Sequence, residues 1–196
     1  MKTFKTVIYW VWSCTWGVIM TVIGAVIALG LLITGHKPKI FHYNVYFAFG
    51  TGWGGVNFGA FFFVAKTSDR LDIHQHEAGH GLQNILLGPL MPFVVAIPSA
   101  FRCVLRDCTY TGKKVVAGVV TALAAAVGLA GAILGFLHGL TALGVVGLLM
   151  ALYAGIIALW AFKREIPQYA GGAYVDYDAI WFEGCATRWG QKFFKE

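Results

Sequence analysis

Residues 115–162 read VVAGVVTALAAAVGLAGAILGFLHGLTALGVVGLLMALYAGIIALWAF, 48 positions without one Asp, Glu, Lys or Arg. A helix needs about 20 apolar residues to cross the hydrocarbon core, so this block suits two spans and a tight turn. Phe136-Leu137-His138-Gly139, near its middle, supplies the turn, with His138 as a polar residue at the interface. Ala117, Gly118, Ala122, Ala124, Ala125, Ala126 and Gly128 are the small residues that let membrane helices approach closely. The block therefore predicts a packed transmembrane hairpin.

Towards the N-terminus, Val7 to Thr34 is a second uncharged run of 28 residues, preceded by Lys2 and Lys5. It exceeds the h-region of a signal peptide and ends without a small-residue cleavage site. It predicts a retained helix, tilted to absorb its length, with Trp10, Trp12 and Trp16 at one interface. Three spans divide the chain into an N-terminal transmembrane segment (1–35), a segment of strands and helix (36–114), the hairpin (115–162) and a C-terminal segment (163–196). The composition of all 196 residues agrees, with 58% apolar and 12% charged residues and a mean hydropathy of +0.69. Soluble domains carry about 25% charged residues. Disorder, collagen and coiled coil are excluded by the same figures.

The net charge of +6 speaks for orientation and attraction to lipid headgroups rather than for nucleic acid, since no basic stripe interleaved with aromatics is present. Lys113 and Lys114 precede the hairpin and Lys163 and Arg164 follow it, so the positive-inside rule places segments 36–114 and 163–196 in the cytoplasm. Cys14, Cys103, Cys108 and Cys185 form no CxxC pair and are expected to pack as reduced thiols.

Between the spans, Phe41 to Ala65 is aromatic, glycine-rich and partly alternating, which favours short strands. Thr67-Ser68-Asp69 offers an N-cap, after which Leu71 to Leu87 is helical until Gly88-Pro89. Leu90 to Phe101 contains Pro92 and Pro98 and is too short to span, which suits an interfacial or re-entrant segment.

Inside the helix stands His76-Glu77-Ala78-Gly79-His80, an HExxH. Residues four apart share a helix face, so His76 and His80 can aim at one ion while Glu77 stands beside it as general base. Two imidazoles and a carboxylate leave one tetrahedral position for water on zinc, which makes Zn2+ the natural occupant. For the third ligand the chain offers few acids. Glu165 and Glu196 stand in poor contexts, which leaves Glu183, in a mixed aromatic and polar stretch, ahead of Asp178. His74 points to another helix face and, with Tyr177 and Asp178, is expected behind the ligands rather than among them. Tyr174 and Tyr177 are donors for a developing oxyanion, and Arg102 and Arg106 suit Asp178 or lipid headgroups.

The chain resembles gluzincin-type zinc metallopeptidases, in which an HExxH helix is followed by a later helix whose Glu completes the site, often as E-x-x-A, here Glu183 to Ala186. More closely, it is similar to a group of small bacterial membrane proteins that share Gly52-Trp53-Gly54-Gly55, His76 to His80, Leu87 to Pro92, Ile97-Pro98-Ser99-Ala100 and Asp176 to Gly190. The resemblance covers about residues 50–106 and 174–190. Together with the apolar runs and the charge pattern, it leads to the expectation of a bacterial cytoplasmic membrane protein, mainly α, with about three transmembrane helices and a small zincin-like α+β metal domain at the cytoplasmic membrane surface. Its ligands would be His76, His80 and Glu183, its base Glu77, and its substrate a peptide or protein, including one in the membrane. In gluzincins the substrate adds a strand to a sheet edge, a role that falls here to Phe58, Ala60 and Phe62. Site-2-type intramembrane proteases also carry HExxH, but they use a later Leu-Asp-Gly, which is absent here. The Asp72, Gln75, Gln83 and Asn84 side chains on the HExxH helix also suit the membrane surface. Two other function classes fit the composition. One is a membrane protein whose metal is structural or regulatory, closed by a fourth ligand such as His74 or Asp178. The other is a transporter or channel component, disfavoured by the lack of charge within the hairpin.

Overall fold

The computed structural model of the chain describes residues 2–195, so Glu196 lies outside it. The protein is 75% helical with one small sheet. It forms two units, Met1–Ile97 with Asp176–Glu196, and Pro98–Val175.

The first unit begins with helices α1 (Lys2–Thr15) and α2 (Val18–Ile33). The straight, tilted helix expected over this run is instead bent by 99° at Trp16-Gly17. At the bend the Asn84 side-chain amide, 67 residues away in sequence, donates to the Gly17 carbonyl oxygen at 3.2 Å. A Cβ on Gly17 would collide with that amide.

Four strands follow, β1 (Lys39–Phe41), β2 (Asn44–Ala48), β3 (Gly55–Phe58) and β4 (Phe61–Val64), in the order β1-β2-β4-β3. The β2–β4 pair is parallel and the outer pairs are antiparallel. Both faces of the sheet are covered, which explains why successive residues in β4 are all apolar. Phe47 and Phe63 pack with Ala28, Ile27 and Leu31 of α2. On the other face Tyr46, Phe62 and Val64 pack with Ile73. The run 58–64 is therefore a hairpin rather than one edge strand. Gly59, at φ 68°, makes the turn, and Phe62 lies fully buried on the interior strand β4.

Helix α3 (Leu71–Leu87) carries the HExxH and ends at Gly88, as expected. The first unit closes with α7 (Trp181–Phe193). Helices α3 and α7 cross so closely that a Cβ on Gly79 would strike the Ala186 carbonyl oxygen, and one on Gly190 would strike that of Gln75.

The second unit holds α4 (Ile97–Arg106) from Pro98 onward, α5 (Tyr110–Leu137) and α6 (Thr141–Trp160). The hairpin forms as the sequence predicts, with Gly139 at φ 70° in its turn. Gly128, Gly135, Gly144 and Gly147 sit where any side chain would meet the facing helix. Arg102 is not on a headgroup or on Asp178. It is buried and donates to Glu165 at 2.8 Å, and Tyr169 donates to the same oxygen at 2.9 Å. Lys113 is buried too, its ammonium satisfying the carbonyls of Leu105, Arg106 and Cys108. All four cysteines are free.

Two helices, Tyr110–Leu137 and Thr141–Gly172, are long and apolar enough to cross a membrane. The bent pairs Thr3–Thr15 with Val18–Ile33 and Leu71–Leu90 with Pro92–Arg106 raise the count to four if each is one span. This composition indicates membrane association.

Candidate metal centre

The α3–α7 crossing brings three donors together. His80 Nε2 lies 3.1 Å from His76 Nε2 and 3.0 Å from Glu183 Oε2, and His76 Nε2 lies 3.3 Å from the same oxygen. The glycine at position 79 and the alanine at 186 make this possible, because they let α7 approach until the Glu183 side chain spans the gap. Among the described residues these three form the one group of His, Cys, Asp and Glu able to hold a metal ion. Asp178 is not part of it.

The imidazoles are held by their other nitrogens. Gln83 Nε2 donates to the Phe182 carbonyl oxygen at 2.6 Å, which turns Gln83 Oε1 towards His80 Nδ1 at 2.7 Å. An amide oxygen only accepts, so His80 carries a proton on Nδ1, which leaves Nε2 to take an ion or a second proton. His76 Nδ1 lies 2.7 Å from Thr187 Oγ1. Two ring nitrogens and a carboxylate facing one another at about 3 Å repel unless a proton or a cation sits between them. Without metal, that role falls to a proton. Burial alone lowers the His80 pKa, but its hydrogen bond to Glu183 and the charge of that carboxylate outweigh burial and hold the imidazole at about 9.

Glu77 is buried beside the group, and its Oε2 has no hydrogen-bond partner among the described residues. Burial raises its pKa above the usual carboxylate range, His76 and His80 pull it back, and Glu183 adds to the rise. The Asn57 amide on β3 donates to the Glu77 carbonyl oxygen at 2.9 Å. A Cβ on Gly55 would enter the space of the Glu77 carboxylate. The sheet edge beside the helix is thus β3, which includes Phe58 but neither Ala60, buried in the turn, nor Phe62.

Of the residues expected behind the ligands, Tyr177 has its ring 5.9 Å from that of His76. His74 instead pairs with Asp69 at 2.8 Å and stacks near Tyr46 and Phe41, joining the start of α3 to the sheet. Tyr174 is 82% exposed and belongs to the second unit. Gln83 and Thr187 escape a reading of the sequence for ligands, yet each stands one turn beyond one, Gln83 three residues after His80 and Thr187 four after Glu183.

Gln83→Leu, close in size but unable to accept from His80, is expected to weaken metal binding about 10–100-fold with unchanged helix content. Competition with a chromogenic chelator measures this, and wild-type affinity in Gln83→Leu would show that the amide does not orient His80.

Comparison with known proteins gives no match, whether to a protein family, a curated protein or a solved structure.

Proposed function

We propose that the protein is a membrane-bound zinc metallopeptidase whose ligands are His76, His80 and Glu183 and whose general base is Glu77. One observation carries this reading: a converging His-His-Glu donor set with, next to it, a buried carboxylate oxygen that has no partner among the described residues. The donor set fits zinc, which takes imidazole nitrogen and carboxylate oxygen and in catalytic sites keeps one position open. His74 and Asp178, the residues available for a fourth protein ligand, are engaged elsewhere or outside the group.

When bound, zinc makes water more acidic and polarises a carbonyl. The chain's own residues do the rest. Gln83 and Thr187 keep the imidazoles turned towards the ion. Glu77 takes the proton from the attacking water and returns it to the amine nitrogen as the peptide bond breaks. Its raised pKa suits both directions of that transfer. On this reading an extended peptide pairs with the main chain of β3, an edge strand next to Glu77. The resemblance to small bacterial membrane proteins supports a location in the cytoplasmic membrane, and the charge pattern supports a site on its cytoplasmic side.

The test is cleavage of a fluorogenic peptide library by the detergent-purified chain. Turnover that a zinc chelator stops and added zinc restores is the expected result. A metal-loaded, folded chain that cleaves none of the library, nor a set of membrane-protein substrates, would remove the peptidase reading and leave a structural or regulatory metal.

A further inference from the structure

On other faces of α3 and α7 than the metal ligands lies a groove of about 610 Å3, walled on its third side by α1. Trp12, Trp16, Leu82 and Leu86 make its apolar wall, and Trp189 and Lys192 stand at its α7 side. We infer that this groove binds an anionic phospholipid, with acyl chain against the indole and leucine wall and phosphate at Lys192.

Four observations converge on this occupant. The volume falls within the about 300–1,000 Å3 of ligand clefts, and the lining is almost wholly apolar, apart from one cation. That cation is uncompensated: among the described residues Lys192 has no carboxylate partner, and its ammonium rests 5.4 Å from the Phe193 ring. The indoles differ in the same way. Of the three indoles that line the groove, Trp16 donates to the carbonyl of Leu86, whereas Trp12 and Trp189 have no acceptor among the described residues. Phosphate and ester oxygens supply what these donors lack. Lastly, the groove adjoins a surface suited to lipid. Trp16 stands at the elbow before α2, whose exposed face is Val22, Val26, Leu29 and Ile33, a surface made for acyl chains. Tryptophan at the end of such a segment marks the interface, and a lysine there is attracted to anionic lipid.

The full chain is reconstituted in nanodiscs containing either brominated phosphatidylglycerol or brominated phosphatidylcholine, and tryptophan fluorescence is read as the brominated fraction rises. Bromine quenches only indoles in contact with the lipid. The expected result is half-quenching at about five-fold less phosphatidylglycerol than phosphatidylcholine. Lys192→Gln should erase the difference and Lys66→Gln, which removes an exposed charge elsewhere, should keep it. Trp12→Phe, Trp16→Phe and Trp189→Phe together should remove the preferentially quenched component. Equal quenching by the two lipids in the wild type, or a preference that survives Lys192→Gln, overturns the inference. Quenching that is independent of lipid species and falls as more chains are packed into each disc would assign the groove to a second copy and overturn it as well.

Discussion

Glu183→Ala and His80→Ala are each expected to reduce the metal content of the purified protein from about one ion per chain to background. Glu183 is wholly buried and its Oε2 is shared by both imidazoles, so its removal takes away a ligand and also the charge that offsets the cation. Two controls make the result specific. Asp178→Ala and His74→Ala should keep the metal, because one lies outside the donor group and the other is held by Asp69. In the wild type, binding should tighten as pH rises. The proton that Glu183 holds on His80 is present below about 9 and has to leave before an ion can enter. Calorimetry in buffers of different ionisation enthalpy would read that proton as a buffer-dependent heat at neutral pH. Metal retained at full occupancy in Glu183→Ala would place the ion elsewhere and dissolve the three-ligand site.

Glu77→Gln should do the opposite, keeping the metal and losing the reaction. The substitution preserves size in a site where Gly55 leaves no spare room, but an amide accepts no proton at neutral pH. General-base catalysis contributes about 10²–10⁴-fold, so kcat should fall by that factor while KM and metal content hold. Measuring all three on one preparation separates the base from the ligands. Wild-type turnover in Glu77→Gln would mean that another group takes the proton.

The parts of this molecule legible in sequence are those governed by local spacing. The helix 71–87, its stop at Gly88, the hairpin with its turn at His138-Gly139, and the pairing of two histidines on one face all follow from periodicity and glycine placement. Glu183 was legible through chemistry, since few acids exist in so apolar a chain and a buried one requires a partner. What escaped depends on contacts distant in sequence. Gly17 looks like any other glycine in an apolar run until Asn84 arrives to hold its carbonyl. Phe62 alternates like an edge residue until β2 pairs with β4 and moves the edge to β3. Gln83 reads as a polar residue on an amphipathic helix, and only the Phe182 carbonyl fixes which way its amide turns.

The first unit is discontinuous, and this gives the protein an order of assembly. His80, the last of the three HExxH residues, leaves the ribosome 103 residues before Glu183, at about 5–20 residues per second an interval of several seconds or more. Throughout that interval the nascent chain has two imidazoles and a base but no third ligand, while the apolar hairpin is being made. A chain that stalls or is cut before α7 can therefore bind metal only weakly and cannot position Glu77 against a complete centre. Completion of the centre thus reports that everything encoded between α3 and α7 has already been synthesised.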